Sequence, residues 1–407
     1  MTHPLPFSDQ RFDRGELERT QLELLNALIV RARELSPFHR KRLPAAPLSS
    51  LDGLQTLPLM VPDDLRAHGE LLLVPAERVA RMVSLPTSGT SGEPKRIAFT
   101  EEDVRQTSDF FSSGLHCICR AREVTAVLFP SVTPGSMGSL ICGSAEATGA
   151  SVATVDMGGT IGGIASELAR SGATSAVGSG HLLLALARYA EAHPGTLGLE
   201  RALVSSDNAS RSMVDSIGRG LGCEVFEHYG MTETGFGCAV DCHAHSGMHI
   251  RELDLLVEVV DPATGTVLPA GEEGEVVVTT LRREALPVIR YRTGDISRIV
   301  PGDCPCGGSL RRLDRVHGHA LARGDGAWRI EAALDEAVFA LPGAFDYEAR
   351  LVGDGGHRTV AVTVDSFGGT DIRALEGVLG EDLPIEVELR LADGDVHPRN
   401  PKLSRLS

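Results

Sequence analysis

Thr87, Ser88, Thr90 and Ser91 are interleaved with Gly89 and Gly92 and followed by Pro94 and Lys95, with strand-forming residues on either side at Arg81–Val83 and Arg96–Phe99. Glycine lets successive backbone N–H groups turn inward, and the hydroxyls add donors, so the run can cradle a phosphate chain against the charge of Lys95. It is not the G-x-x-x-x-G-K-[ST] loop, which ends in lysine followed by a hydroxyl and opens a helix. On residue types alone it is equally a Ser/Gly turn at the surface. A second run, Tyr229-Gly230-Met231-Thr232-Glu233-Thr234-Gly235, puts an aromatic, a glycine turn and a hydroxyl–carboxylate pair after a strand. A third, Arg292-Thr293-Gly294-Asp295, ends in a turn carboxylate. Cys304-Pro305-Cys306-Gly307 brings two thiolates into one tight turn, half of a zinc site. Cys242 with His243, His245 or His249 would supply the other half.

The elements that must position these residues are legible in the pattern. Apolar residues from Leu17 to Ile29 recur at helical spacing, so the segment from Glu16 to Leu35 reads as an amphipathic helix that Pro37 ends. Thr100-Glu101-Glu102-Asp103 is a capping-box-like start for a helix to about Arg120. Short apolar runs at residues 125–129, 150–155, 174–177 and 201–204 read as buried strands. Helices lie between them, among them His181 to His193, and this alternation predicts doubly wound parallel sheets with ligands at the strands' carboxyl ends. From Glu252 to about residue 316 the chain is β-rich, with a hairpin turn at Asp261-Pro262-Ala263-Thr264-Gly265. A small α+β segment follows, with helices at 330–339 and near 372–379 and strands at 359–364 and 385–391.

With 407 residues the chain is long enough for two or three domains. A formal net charge of −16 with no Lys/Arg-rich block argues against a nucleic-acid or anionic-membrane surface. No apolar run approaches the ~20 residues of a membrane span, and the polar opening at Met1–Pro6 is not a signal sequence. Eight cysteines then read as reduced thiols or metal ligands in a cytoplasmic protein, Cys117, Cys119, Cys142 and Cys223 as core thiols.

In the order Thr-Ser-Gly-Thr-Ser-Gly-x-Pro-Lys, Tyr-Gly-x-Thr-Glu and Arg-Tyr-Arg-Thr-Gly-Asp, the chain resembles the adenylate-forming acyl- and aryl-CoA synthetase superfamily. It is closest to the phenylacetate-CoA ligase branch, which Ser36-Pro37-Phe38-His39-Arg40 and Glu284–Asp295 resemble as well. The resemblance implies an α/β large domain at 1–317 with a β-rich part at about 252–316, and a small mobile α+β domain at 318–407. It implies ATP, magnesium (Mg2+) and coenzyme A, and an aromatic acid converted first to an acyl-adenylate and then to a thioester. Thr87, Ser88, Gly89, Thr90, Ser91, Gly92 and Lys95 would hold the phosphates. Tyr229 and Gly230 would lie against the adenine, Thr232 on the α-phosphate, Glu233 on magnesium and Asp295 on the ribose. Ser206, Asp207, Arg312 and Arg315 would also touch the nucleotide. Ser131, Gly135, Met137 and Gly235 would line the acid pocket, where Gly135, Ser136 and Gly138 leave room for a ring. Lys402, three residues before Arg405, would stabilise the pentavalent α-phosphate. The branch also favours Cys242 and His249 beside Cys304 and Cys306 as a structural zinc (Zn2+) site.

One departure stands out. Relatives continue Gly-Arg-x-Asp-Asp at the hinge between domains, and this chain reads Gly318-His319-Ala320-Leu321-Ala322. The expectation is an intact adenylating half-reaction with a CoA step that is slow or replaced by a carrier protein, amine or hydroxyl acceptor. A nucleotide-binding homologue without chemistry is the other rival, and association as a homodimer is open. A benzoate, anthranilate, salicylate or phenylacetate type of acid is expected.

Overall fold

The computed structural model describes residue 6 and residues 9–85, 95–206, 209–319, 327–353, 358–380, 383–392 and 396–397. Its contacts divide the chain into two compact units, each assembled from two segments: Met1–Gly114 with His228–Ala322, and Leu115–Glu227 with Arg323–Ser407. The first unit ends close to the boundary expected at residue 318, but residues 115–227 are grouped with the C-terminal segment and not with the rest of the expected large domain.

In the first unit, Asp13 caps the helix Arg14–Leu35 by accepting from the Glu16 N–H at 2.9 Å. The helix buries Leu17, Gln21, Leu25, Leu28, Ile29 and Ala32. Pro37 does more than end it. With φ already suited to a first turn, it opens a second helix, Pro37–Arg42, whose cap Ser36 accepts from the His39 N–H at 3.1 Å. Strands Arg81–Leu85 and Lys95–Phe99 pair antiparallel with Leu85 opposite Lys95, so residues 86–94 connect a hairpin. The expected capping box forms: Thr100 N–H donates to Asp103 Oδ2 at 3.0 Å, and Asp103 N–H to Thr100 Oγ1 at 3.1 Å. The helix it opens, Glu101–Leu115, stops about five residues short of the expected end near Arg120.

The predicted β-rich region is an antiparallel sheet in the order Leu255–Val260, Gly274–Thr280, Tyr291–Ser297, Gly318–His319. A second antiparallel ribbon pairs the end of strand Glu224–Tyr229 with Ala239–Val240, and carries on through Met248–Ile250 and Arg312–Leu313 to Ile299–Val300. One core that includes Leu25, Ile29, Phe99, Ile250, Val276 and Ile289 joins the first helix, the hairpin and both sheets.

In the second unit the expected parallel sheet is present, in the order Ser151–Thr154, Val124–Leu128, Ser175–Gly178, Arg201–Val204 and residues 224–227. Helices Met137–Ala147, Ile161–Ser171, Gly180–Ala192 and Arg211–Leu221 are each capped by a hydroxyl, from Ser136, Thr160, Ser179 and Ser210. The C-terminal segment adds helix Ala327–Ala340 and strands Ala344–Val352, Thr359–Ser366 and Ile385–Leu391. Strand Ala344–Val352 has no counterpart in the sequence reading. The helix expected near 372–379 is a correction: only a 3-10 turn, Ile372–Leu375, forms, because Gly377 (φ 77°) and Gly380 (φ 86°) turn the chain left-handed. Buried Arg188 ties the segments of this unit together by donating to the carbonyls of Phe339, Leu341 and Ala344 and to Ser216 Oγ. Among the described residues no helix is long and apolar enough to cross a membrane.

Candidate nucleotide site and cysteine–histidine cluster

Strand Glu224–Tyr229 delivers the aromatic–glycine turn. A Cβ on Gly230 would stand 2.4 Å from the Phe236 carbonyl oxygen, so only glycine lets the chain fold back this tightly. The return is fixed by Phe236 N–H to Met231 O at 2.8 Å and Cys238 N–H to Tyr229 O at 2.9 Å. Between them Thr232–Thr234 makes one 3-10 turn, closed by left-handed Gly235 (φ 76°). Thr234 Oγ1 donates to Met231 O at 3.0 Å, and Thr107 Oγ1 donates to Gly235 O at 3.0 Å from behind.

Two phenols orient the two candidate acids, Asp295 and Glu233. Tyr229 Oη donates to Asp295 Oδ2 at 2.6 Å, and Tyr291 Oη to Glu233 Oε1 at 3.0 Å. Burial and then the facing carboxylate raise both phenol pKa values, well above the ordinary value for Tyr229 and likewise for Tyr291, so both remain donors. Asp295 is itself seated by its N–H on Thr293 Oγ1 at 3.0 Å. Next to it, left-handed Gly294 (φ 81°) donates its N–H to Glu275 Oε1 on the neighbouring strand at 3.0 Å. The ladder sets His319 opposite Asp295. Tyr229 thus has a use beyond the flat ring expected of it. Sequence reasoning does not find Tyr291, whose only signal is a hydroxyl four residues before Asp295.

The other expected nucleotide residues fall in three groups. Lys95 is half-buried at the base of its hairpin, whereas Thr87, Ser88, Gly89, Thr90, Ser91, Gly92, Asp207 and Lys402 lie outside the described residues, as do Leu321 and Ala322. In the second unit Ser206, just after strand Arg201–Val204, is left-handed (φ 74°), and its Oγ lies 3.8 Å from Met137 Sδ. That juxtaposition brings one nucleotide candidate onto one acid-pocket candidate. Ser131 is half-buried in the same turn region, and Gly135 (φ 74°) has open space where a side chain would be. Gly138 does not: a Cβ there would meet Pro130 O at 2.4 Å, so this glycine serves close packing, not room for a ring.

Arg312 has partners of its own. Its guanidinium is buried and donates to Ser246 O and Oγ and to Gly302 O, so it fastens the loop that carries the cysteines. Arg315 gives its carbonyl to Ser297 Oγ at 3.1 Å, and its charge bears on Asp241.

The cysteines and histidine expected to meet do so. The ligand atoms of Cys242, His249, Cys304 and Cys306 all lie within 4.8 Å of one another. Cys242 Sγ is 3.7 Å from Cys304 Sγ, and Cys306 Sγ is 3.3 Å from His249 Nε2. Tetrahedral zinc with Zn–S of about 2.3 Å needs sulfur–sulfur separations of roughly 3.8 Å, so the four atoms fit that ion. His249 Nδ1 lies 3.3 Å from Leu310 O, which leaves Nε2 for the cluster, the usual outer-shell arrangement. His243 and His245 are outside the group, and His245 Nδ1 pairs instead with Asp241 at 2.6 Å. All eight cysteines are free of disulfides.

A family model described as AMP-binding enzyme matches residues 74–281. The phenylacetate-coenzyme A ligase of Thermus thermophilus is 30% identical over 341 residues, covering 79% of this chain and 76% of that one. The phenylacetate-coenzyme A ligase of Escherichia coli (strain K12) is 28% identical over 321 residues, covering 75% and 71%. Among solved structures, a 2-hydroxyisobutyryl-CoA ligase in the postadenylation state superposes with a TM-score of 0.81 at 19% identity, over 99% of this chain and 93% of that one. The anthranilate CoA ligase AuaEII with anthranoyl-AMP gives 0.55 at 15% identity, over 77% and 64%. The mixed α/β fold is that of these adenylate-forming ligases. With the glycine-turned Tyr-Gly-x-Thr-Glu segment, the seated Asp295 and these matches together, the chain belongs to the AMP-binding enzyme family, in its phenylacetate-CoA ligase-like branch.

Proposed function

We propose that this chain, an AMP-forming acid–CoA ligase by family, activates an aromatic carboxylate of the benzoate or phenylacetate type. The substrate's carboxylate oxygen attacks the α-phosphorus of ATP, and pyrophosphate leaves. The thiol of coenzyme A then attacks the acyl carbon, loses its proton, and AMP leaves. The reading rests above all on the two phenol–carboxylate pairs, Tyr229–Asp295 and Tyr291–Glu233, which present two acids in fixed orientations within one unit. Asp295 is assigned to the ribose hydroxyls and Glu233 to a magnesium ion on the phosphates, for which a carboxylate oxygen is the right donor. Magnesium, when bound, offsets phosphate charge. Thr87, Ser88, Thr90, Ser91 and Lys95 are assigned to the phosphates, Thr232 to the α-phosphate and Lys402 to the charge that develops there. Ser131, Gly135, Met137, Ser206 and Gly235 are assigned to the acid's surroundings. The boundary near residue 318 is assigned to a hinge between a large and a small domain.

Zinc at Cys242, His249, Cys304 and Cys306 has a structural role in this reading, because four protein ligands leave no open position. The free cysteines suit a reducing cytoplasm.

The test is pyrophosphate and AMP release over a panel of benzoates, phenylacetates and short aliphatic hydroxy acids, with and without coenzyme A. Pyrophosphate release with an aryl acid, and AMP release only when coenzyme A is added, is the expected result. Aliphatic preference would overturn the aromatic assignment. Adenylate that persists in the presence of coenzyme A, or passes faster to an amine, would overturn the CoA acceptor. That second outcome is the one the altered hinge at His319, Leu321 and Ala322 makes worth measuring.

A further inference from the structure

Behind the Thr232–Gly235 turn lies a buried guanidinium that no nucleotide role explains. Arg283 is 5% exposed, and its Cζ sits 4.1 Å from the Phe99 ring centroid. Phe99 stacks on Phe236 with centroids 5.5 Å apart and planes 10° apart, and Arg81 covers Phe236 at 5.0 Å. Arg81 lies 5.7 Å from the Phe99 centroid as well, so the result is a cluster of two stacked rings with one guanidinium against both and a second, Arg283, against Phe99. Its members come from both strands of the hairpin around residues 86–94 (Arg81, Phe99), from the residue after Gly235 (Phe236) and from the loop before Asp295 (Arg283). Phe236 is itself left-handed (φ 66°), a conformation a bulky residue holds only when its surroundings impose it.

Arg283 also touches the turn directly. A Cβ on Gly235 would lie 3.0 Å from Arg283 Nη1 and 3.2 Å from Thr107 Oγ1, so guanidinium and hydroxyl together wall in the residue that closes the turn. The charge is desolvated and only loosely compensated. Asp103 Oδ1 is 4.0 Å away from Nε, Nη2 reaches Ala98 O at 3.4 Å, and Nε has no hydrogen-bond partner among the described residues. Burial lowers the Arg283 pKa to about 10, so it keeps its proton at neutral pH. A buried cation with an unmet donor is costly for stability alone, and an apolar residue of that length would pack the same space at less cost.

We propose that Arg283 is a positioning residue: through Phe99 and Phe236 and its contact at Gly235, it holds the Thr232–Gly235 turn, and with it Glu233, in register with the hairpin that carries residues 86–94. The inference rests on the assignment of Glu233 to magnesium, and its test separates the two.

The primary readout is ATP affinity by calorimetry, measured with magnesium and again with chelator, which gives the magnesium-linked gain in binding. Arg283→Met should cut that gain about tenfold and lower the adenylation kcat about tenfold while the KM for the acid stays unchanged, since small misplacements of a reacting group are costly. Arg283→Lys, which keeps a cation on the Phe99 face, should stay within about threefold of the parent. Phe236→Leu, which removes the ring stacked on Phe99, should reproduce the loss, and it decides the matter if Arg283→Met does not fold. A lower melting temperature with an unchanged magnesium-linked gain in both variants would make Arg283 merely structural and overturn the proposal. Glu233→Gln is the control. If it leaves the gain intact, the metal assignment fails and the positioning inference falls with it; if it abolishes the gain while Arg283→Met does not, only the positioning inference fails.

Discussion

Tyr291 reaches Glu233 from a position where burial keeps the phenol protonated, so removing one oxygen atom isolates one hydrogen bond. A hydrogen bond to a charged group is worth about 1.5–3 kcal/mol, and about 1.4 kcal/mol is a factor of ten. Tyr291→Phe should therefore lower kcat/KM for magnesium–ATP by about tenfold or somewhat more, with the KM of the acid unchanged, in steady-state pyrophosphate release. Lys402→Ala should cost on the order of 100- to 1,000-fold in adenylate formation and leave ATP binding nearly intact, because a charge aimed at the developing α-phosphate acts in the transition state. Adenylation that survives within a few-fold would remove Lys402 from the reaction. These two residues mark how far sequence reading reaches at this scale. The proposal for Lys402 is legible through the family resemblance, which its spacing to Arg405 carries. Tyr291 is not, because a tyrosine at the start of a strand reads as core until its partner, Glu233, 58 residues away, is known. The partners of Arg312 are illegible for the complementary reason: an arginine in a charged run has no visible partner in sequence, and here they include backbone carbonyls of a loop about ten residues away.

The elements with the strongest local signals came out as expected. The capping box at Thr100 and Asp103, the Asp261–Gly265 hairpin turn and the parallel strands each carry their cause within a few residues. Strand Ala344–Val352 was illegible because its alternation is broken by Asp346 and Tyr347, both buried, and its place is set by pairing with Thr359–Ser366. The cysteine cluster lies between these cases. Cys304 and Cys306 announce a half-site and residue types leave His243, His245 and His249 open; the resemblance favours His249, and the pairing of Met248–Ile250 with Arg312–Leu313 is what brings it to the cysteines. Metal there would clamp two elements of the ribbon to the loop at residues 301–308, and binding energy at a folded site is folding energy. Protein purified without added metal should carry about one zinc by elemental analysis, and chelation should lower the melting temperature. Cys304→Ser should lose the metal, and a zinc content unaffected by it would place the metal elsewhere.

Acid sensitivity belongs to the whole molecule, because it sums over sites. Burial lowers the pKa of His39 and of His228 from the ordinary 6.5 to about 4. The unfolded chain takes up these protons near pH 6.5 and the folded chain only near pH 4, so the unfolded state binds more protons throughout that window. Stability is therefore fully present above about pH 6.5 and falls as the pH drops towards 4, with a slope of at most about 1.4 kcal/mol per pH unit for each histidine. Urea unfolding followed across this range should show the fall, and His39→Gln should make it shallower by about one proton. Connectivity has a second whole-molecule consequence, this one for synthesis. Arg14, on the first helix, finds its carboxylate partner Glu252 238 residues further along the chain, and Gln21 donates to the Glu252 carbonyl. At ribosomal speeds of about 5–20 residues per second, the first helix waits roughly 12–48 s before that partner is made. During that interval its apolar stripe of Leu25, Leu28 and Ile29 has only the early hairpin of its final core to rest on, so the first helix is among the first elements made and among the last to be sealed.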